Sequence, residues 1–278
     1  MKHAYLIIAH NEYAVLEHLV RLLDDSRNDI YIHFDKKSKK IPIIKAVKSN
    51  LYIIDKRFDV RWGDFSQIKT EMLLMEEASK RAPYSYFHII SGQHFPLQSQ
   101  DQIHEFFNQN KGTEFFVTMN FSPLELQNKG NRFNLFMRYY AMNIFFQYCW
   151  RICLEIQIKW NIFRNKDRKF IKASNWVSIT QPAVSYLLSK KKNIFQRYRY
   201  SMCADELFIP TELHYSKKQW NMVFSDQLLY HKVGRANSDI LTVEDFEDLK
   251  FSKCLFARKF SEKNIELIKE VENNLILS

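Results

Sequence analysis

Glycine and proline are scarce, with five and six among 278 residues. That excludes long flexible linkers and collagen-like or low-complexity segments. No internal repeat recurs at a solenoid period. The four cysteines, Cys149, Cys153, Cys203 and Cys254, contain no CxxC pair and no histidine at zinc spacing. They read as buried thiols of a reducing compartment. No apolar run approaches the roughly 20 residues that span a bilayer. The N-terminus enters a strand-like run without a signal peptide's apolar core and cleavage site. The expectation is a cytoplasmic protein, or one peripheral on the inner face of the membrane. Also missing are a Gly-rich phosphate loop, HExxH, GxSxG and any Asp-x-Asp. Triad and metalloprotease chemistry therefore have no support, and neither does the usual carboxylate pair for a divalent ion.

What is present is ample apolar material and positive charge. Hydrophobic residues make up 46% and aromatics 15%, enough for one large domain over residues 1–278 or one domain with an insertion. Forty-one Lys and Arg face thirty-one Asp and Glu, a net charge of +10. Such a balance suits nucleotides, diphosphates, nucleic acid or an anionic bilayer, and equally a solvated basic surface.

Apolar runs at Ala4–Ala9, Ile30–Phe34, Leu51–Ile54 and Tyr86–Ile90 read as strands. Helical patterns follow Asn11 and Glu12, run from a cap at Ser66, and begin again at Ser99-Gln-Asp101. The alternation predicts an α/β fold, a mostly parallel Rossmann-like sheet with helices on its faces. Glu114–Val117 reads as a further strand. Residues 121–172 break the alternation with an insertion crowded by aromatics and cations; Trp176–Ile179 and Gln181–Leu188 resume it as strand and helix. Residues 1–120 thus read as a nucleotide-binding half and residues 173–278 as an acceptor and catalytic half.

Two stretches carry the chemistry. Cys203-Ala-Asp205-Glu206-Leu-Phe places adjacent carboxylates at the start of an apolar run, and Leu255-Phe-Ala-Arg258-Lys259-Phe260 places adjacent cations in an aromatic frame. A carboxylate that takes a proton and cations that hold a leaving diphosphate suit transfer from a nucleotide sugar. Asp205-Glu206 also reads as a helix N-terminus, where the dipole favours acids. A glutamate there, with aromatic surroundings raising its pKa, fits a general base. Arg235 is a third cation candidate. Asp35 ends the second strand, where an acid accepts hydrogen bonds from a ribose or uracil, or else partners the lysines after it. His10 and Asn11 stand at the end of the first strand with the same two readings.

In order along nearly the whole chain, Ala4-Tyr-Leu-Ile-Ile-Ala-His-Asn11, Ile32-His-Phe-Asp-Lys36, Arg61-Trp-Gly-Asp-Phe-Ser66, Ser91-Gly-Gln-His-Phe-Pro-Leu97, Ser174-Asn-Trp176, Ala204-Asp-Glu206 and Leu255-Phe-Ala-Arg-Lys-Phe260 are found. Together they resemble the core-2/I-branching β-1,6-N-acetylglucosaminyltransferase family, which includes peptide O-xylosyltransferases. The resemblance implies a GT-A-type fold and inverting transfer from a UDP-sugar with no metal or other cofactor. Glu206 would be the base. Lys259, with Arg258 and Arg235, would hold the diphosphate, and Asp35 would meet the uridine. Gly92, Gln93, Trp176 and Asp205 fall in the stretches expected to meet donor and acceptor sugars. Ser174-Asn-Trp176 departs from the family's Gly-Ser-x-Tyr/Trp pattern. The chain also lacks the Golgi anchor and paired cysteines of animal members, and so looks like a bacterial member that builds surface polysaccharide. The implied partners are a UDP-sugar and a glycan or lipid-linked oligosaccharide, with possible peripheral contact to an anionic membrane and no nucleic acid. N-acetylglucosamine is the first donor reading; xylose, glucose and galactose are alternatives. A basic nucleic-acid-binding protein and a non-catalytic membrane scaffold are the rival classes.

Overall fold

The computed structural model describes residues 1–232, 234 and 238–273. Ten strands are assigned among them: β1 His3–Ala9, β2 Asn28–Phe34, β3 Asn50–Ile53, β4 Tyr86–Ser91, β5 Phe95–Pro96, β6 Thr113–Phe116, β7 Val177–Thr180, β8 Asn221–Phe224, β9 Leu229–His231 and β10 Phe256–Arg258. The helices are α1 Tyr13–Leu23, α2 Ser66–Ser79, α3 Gln100–Gln109, α4 Pro123–Gly130, α5 Met137–Tyr140, α6 Ile144–Lys159, α7 Gln181–Ser189, α8 Lys191–Tyr198, α9 Phe208–His214, α10 Phe246–Phe251 and α11 Ile265–Val271.

Seven strands form the main sheet in the order β3-β2-β1-β4-β7-β6-β8. β3, β2, β1 and β4 run parallel, β7 runs antiparallel to both its neighbours, and β8 is parallel to β6. Every residue of β1, β2 and β4 is buried, as expected of strands covered on both faces. This is the mostly parallel, helix-flanked α/β sheet that the sequence implies. α1 links β1 to β2, and α2 lies in the crossover from β3 to β4. The chain thus builds outward from β1 on one side and then returns to its other side. Such a reversal opens a crevice at the carboxyl ends of the strands.

Among the described residues, side-chain caps open α3, α4 and α6, at Ser99, Ser122 and Asn143. Ser99 caps α3 in a reciprocal capping box with Gln102. The expected cap at Ser66 is corrected: Ser66 is already helical, its hydroxyl accepts from the Arg61 amide at 2.9 Å, and its own amide donates to Asp64 at 3.0 Å. The N-cap position is Phe65, with no side-chain cap. All four cysteines are free; Cys203 and Cys254 are buried, but Cys149 and Cys153 are only partly so.

A second sheet, β5-β10-β9, lies outside the sequence reading. Its strands have two or three residues, too few for a period-2 pattern to show. Successive β10 side chains serve different cores: Phe256 packs into the large core of the main sheet, while Ala257 joins a smaller one with Phe95, Leu97, Leu249, Phe260, Leu267 and Ile268. Alternation then returns Arg258 to the Phe256 side. Residues 121–172 enter between β6 and β7 as α4, α5 and α6.

Candidate active site

The parallel register aligns the carboxyl ends of three strands, with Ala9 opposite Phe34 and Ile8 opposite Ser91. The residues just beyond, His10, Asp35 and Gln93, therefore share one edge. A cavity of about 670 Å³ opens there, lined by these three together with Trp176, Asp205, Glu206, Arg258 and Lys259. That volume falls within the range of small-molecule sites. Asn11 and Gly92 do not line it. Asn11 is exposed at the start of α1. A Cβ on Gly92 would lie 3.3 Å from the Ala9 Cβ, so this glycine serves the close packing of the β4 turn on β1. Arg235 lies outside the described residues; Gly234 and Ser238, on either side of it, line the cavity.

Asp35 is buried, and its carboxylate accepts from the Lys37 amide and ammonium at 2.7 Å each and from the Val60 amide at 3.2 Å. Its partnership with the following lysines is thus real, and it coexists with a place on the cavity wall. Gln93 does structural work: its carboxamide donates to the Phe260 carbonyl at 3.3 Å, and its own carbonyl accepts from the Phe260 amide at 3.1 Å. These bonds tie the β4 turn to the segment that carries the cations.

The expected aromatic frame around Arg258 and Lys259 takes a different form. Phe256 and Phe260 are buried in the two cores. The Arg258 guanidinium instead stands 4.8 Å above the Trp176 ring, a cation–π contact. Burial lowers its pKa to about 10. The Arg258 Nε and Trp176 Nε1 are enclosed and have no hydrogen-bond partner among the described residues. Buried donors of that kind are uncommon. Arg258 and Lys259 also make no ion pair among the described residues. His94 meets the Trp176 ring edge-on at 4.8 Å, is held by Ser91 at 2.8 Å, and stays neutral because burial lowers its pKa well below the usual range.

The carboxylate corner differs from the sequence reading in two ways. Asp205 and Glu206 sit on a single 3-10 turn, Ala204–Glu206, ahead of α9. Cys203 precedes it with φ 47° and ψ 46°, a left-handed conformation uncommon outside glycine. Where aromatic surroundings were expected, the Glu206 carboxylate meets the ammonium groups of Lys129 and Lys172, each at 3.5 Å. Glu125 bridges both lysines at 2.9 and 2.8 Å. Burial first, and the Glu206 charge second, push the neighbouring Asp205 up to about 7. Behind it, burial and then the Asp205 charge push the enclosed Glu71 well above the usual carboxylate range. Among the described residues, no group of three or more His, Cys, Asp or Glu is arranged to hold a metal ion.

Sequence reasoning missed Lys129, Lys172, Glu125 and Glu71. Glu125 and Lys129 are an i, i+4 pair on α4, a spacing that signals a helical ion pair. Nothing local connects them to Glu206, which lies 77 residues from Lys129.

Comparison with known proteins bears on this site. Residues 3–247 match the family model described as Core-2/I-Branching enzyme. A curated zebrafish protein, Danio rerio beta-1,3-galactosyl-O-glycosyl-glycoprotein beta-1,6-N-acetylglucosaminyltransferase 4, is 26% identical over 138 residues. That stretch is 48% of this chain and 32% of the relative, so the match spans about a third of that protein's length. Among solved structures, apo mouse xyloside xylosyltransferase 1 aligns over 91% of this chain and 96% of its own at 11% identity, with a TM-score of 0.39. S. aureus TarS aligns over 48% of this chain and 25% of its own at 8% identity and a TM-score of 0.28. At those scores neither likeness carries weight.

Proposed function

The chain belongs to the Core-2/I-branching enzyme family, and on that premise we propose that its cavity transfers a sugar from a nucleotide sugar to a hydroxyl of an acceptor glycan, free or borne on a lipid. One observation carries the reading. The cavity joins Glu206 to the cations Arg258 and Lys259 at the carboxyl edge of the parallel strands, where open α/β sheets bind nucleotides.

The chemistry follows from those groups. Glu206 takes the proton of the acceptor hydroxyl as its oxygen attacks the anomeric carbon. The bond from that carbon to the diphosphate oxygen breaks, and configuration inverts. Arg258 and Lys259 meet the charge that develops on the departing UDP, the task a divalent ion performs in other enzymes. Lys129 and Lys172 hold the Glu206 carboxylate in place for the proton transfer. Asp35 faces the nucleoside, and Trp176 faces the sugars.

N-acetylglucosamine is the donor sugar we favour, in keeping with the zebrafish relative's name; xylose, glucose and galactose are the alternatives. The biological setting that fits is bacterial surface polysaccharide synthesis from the cytoplasmic side. The test is UDP release across a panel of UDP-sugars without acceptor, with and without EDTA. One preferred donor, with release unchanged by the chelator, is expected. Loss of release in EDTA with recovery in manganese would overturn metal independence. Release from no UDP-sugar, together with no UDP binding by calorimetry, would overturn the transfer itself.

A further inference from the structure

The α5–α6 segment is apolar on its outer side as well as its inner one. Of the sixteen residues of α6, only Gln157 is buried. Ile144, Tyr148, Ile152, Ile156 and Trp160 follow one another at four-residue steps and stand 48 to 71% exposed. They form one apolar ridge running the whole helix, about 24 Å at 1.5 Å per residue. The neighbouring ridge carries the exposed Arg151 and Lys159, with Glu155 paired to Arg151 at 3.1 Å.

α6 is fastened to the fold by aromatic packing, Trp150 on Tyr140 at 5.3 Å and Phe146 on Tyr139 at 5.0 Å, and by polar contacts. The Trp150 indole donates to Asn134 at 2.9 Å, Gln157 bonds the Phe133 amide and carbonyl at 2.7 and 2.9 Å, and Arg132 donates to the Gln157 carbonyl at 2.9 Å. A helix that packs Phe146 and Trp150 inward and still carries a second apolar ridge outward is built to be covered by something else.

Charge identifies the cover. Residues 137–160, which form this face, carry Arg138, Arg151 and Lys159 against Glu155, a net charge of +2. An anionic bilayer accepts both ridges together, with Tyr148 and Trp160 suited to the headgroup layer. We propose that the α5–α6 face docks on an anionic phospholipid surface. The face reaches the cavity mouth, because Tyr140 of α5 stacks on the cavity-lining Trp62 at 5.9 Å. If the proposed transfer holds, docking would bring a lipid-borne acceptor to Glu206; the docking itself does not depend on that reading.

The experiment is co-sedimentation of the full chain with vesicles of phosphatidylcholine alone and of phosphatidylcholine mixed with phosphatidylglycerol, in low and high salt. Binding is expected to the mixed vesicles and to weaken in high salt. Arg151→Glu with Lys159→Glu is expected to lower partitioning by about tenfold or more, and Ile152→Ser with Ile156→Ser to lower it on its own. Both double variants should keep the parent's melting temperature and UDP affinity. No sedimentation of the parent with mixed vesicles, or binding indifferent to both double substitutions, overturns the proposal. So does a concentration-dependent dimer abolished by Ile152→Ser with Ile156→Ser, which would assign the face to a second copy. Loss of UDP binding in the parent would instead count against the transfer reading and leave the vesicle result standing.

Discussion

At one end of the cavity Arg258 and Lys259 stand without an acidic partner among the described residues, Arg258 stacked on Trp176 at 4.8 Å. At the other, Glu206 meets Lys129 and Lys172 at 3.5 Å, and Glu125 balances the same lysines. One end keeps an excess of positive charge; the other is neutralised from within. A site so divided suits an anion at the first end and an uncharged group, such as a sugar hydroxyl, at the second.

The largest effect that would break this division is catalytic. Glu206→Gln keeps the side chain's size and removes its capacity to take a proton, so transfer should fall by roughly 10²–10⁴-fold with UDP affinity nearly unchanged. A variant that keeps more than half the parent's rate would show that the neutralised end is not where the proton moves.

At the other end, Lys259→Ala should weaken UDP binding by about 1.5–3 kcal/mol, the range of a hydrogen bond to a charged group, and uridine binding far less. Calorimetry with both ligands measures the contrast. Equal losses would mean that Lys259 meets the nucleoside, and the division of charge along the cavity would be wrongly drawn.

The smallest effect is on stability. The Asp205 carboxyl is pushed up to about 7 in the folded chain, from an ordinary value of 3.8. Between those values the folded chain keeps a proton that the unfolded chain has lost, so this group lowers stability as pH rises through that window. Above it, the full cost of an enclosed carboxylate remains. Asp205→Asn should therefore raise the melting temperature at pH 8 relative to the parent, by roughly 2–4 °C per kcal/mol relieved, and change it little at acid pH. An equal shift in acid and in alkali would place the effect in packing. Glu71 acts in the same direction.

The sequence showed the strand ends well and the corner around Glu206 poorly, for a physical reason. Continuous apolar runs such as Ala4–Ala9 and Ile30–Phe34 mark strands buried on both faces, and the polar residue that stops each run, His10 or Asp35, marks where the sheet meets the cavity. The Arg258–Lys259 pair was legible as adjacent cations, but the ring that meets Arg258 is Trp176, far away in sequence, and not Phe256 or Phe260. Lys129 and Lys172 reach Glu206 across the fold, and sequence spacing holds no trace of such closeness. The aromatic insertion is the opposite case: its composition was plain, but only the structure reveals that α6 buries a single residue, Gln157. The small second sheet escaped because strands as short as Phe95–Pro96 have no period to read.

That small sheet has a consequence for insertions and deletions. Phe256, Ala257 and Arg258 alternate between two separately packed cores, and the Phe260 amide is pinned to Gln93. One residue added between Phe251 and Phe256 would slide β10 by a step and exchange its faces. A phenylalanine would then be pressed toward the site now filled by Ala257, and the guanidinium would leave its place above Trp176 for the one Lys259 now holds. This stretch therefore tolerates changes of side chain far better than changes of length.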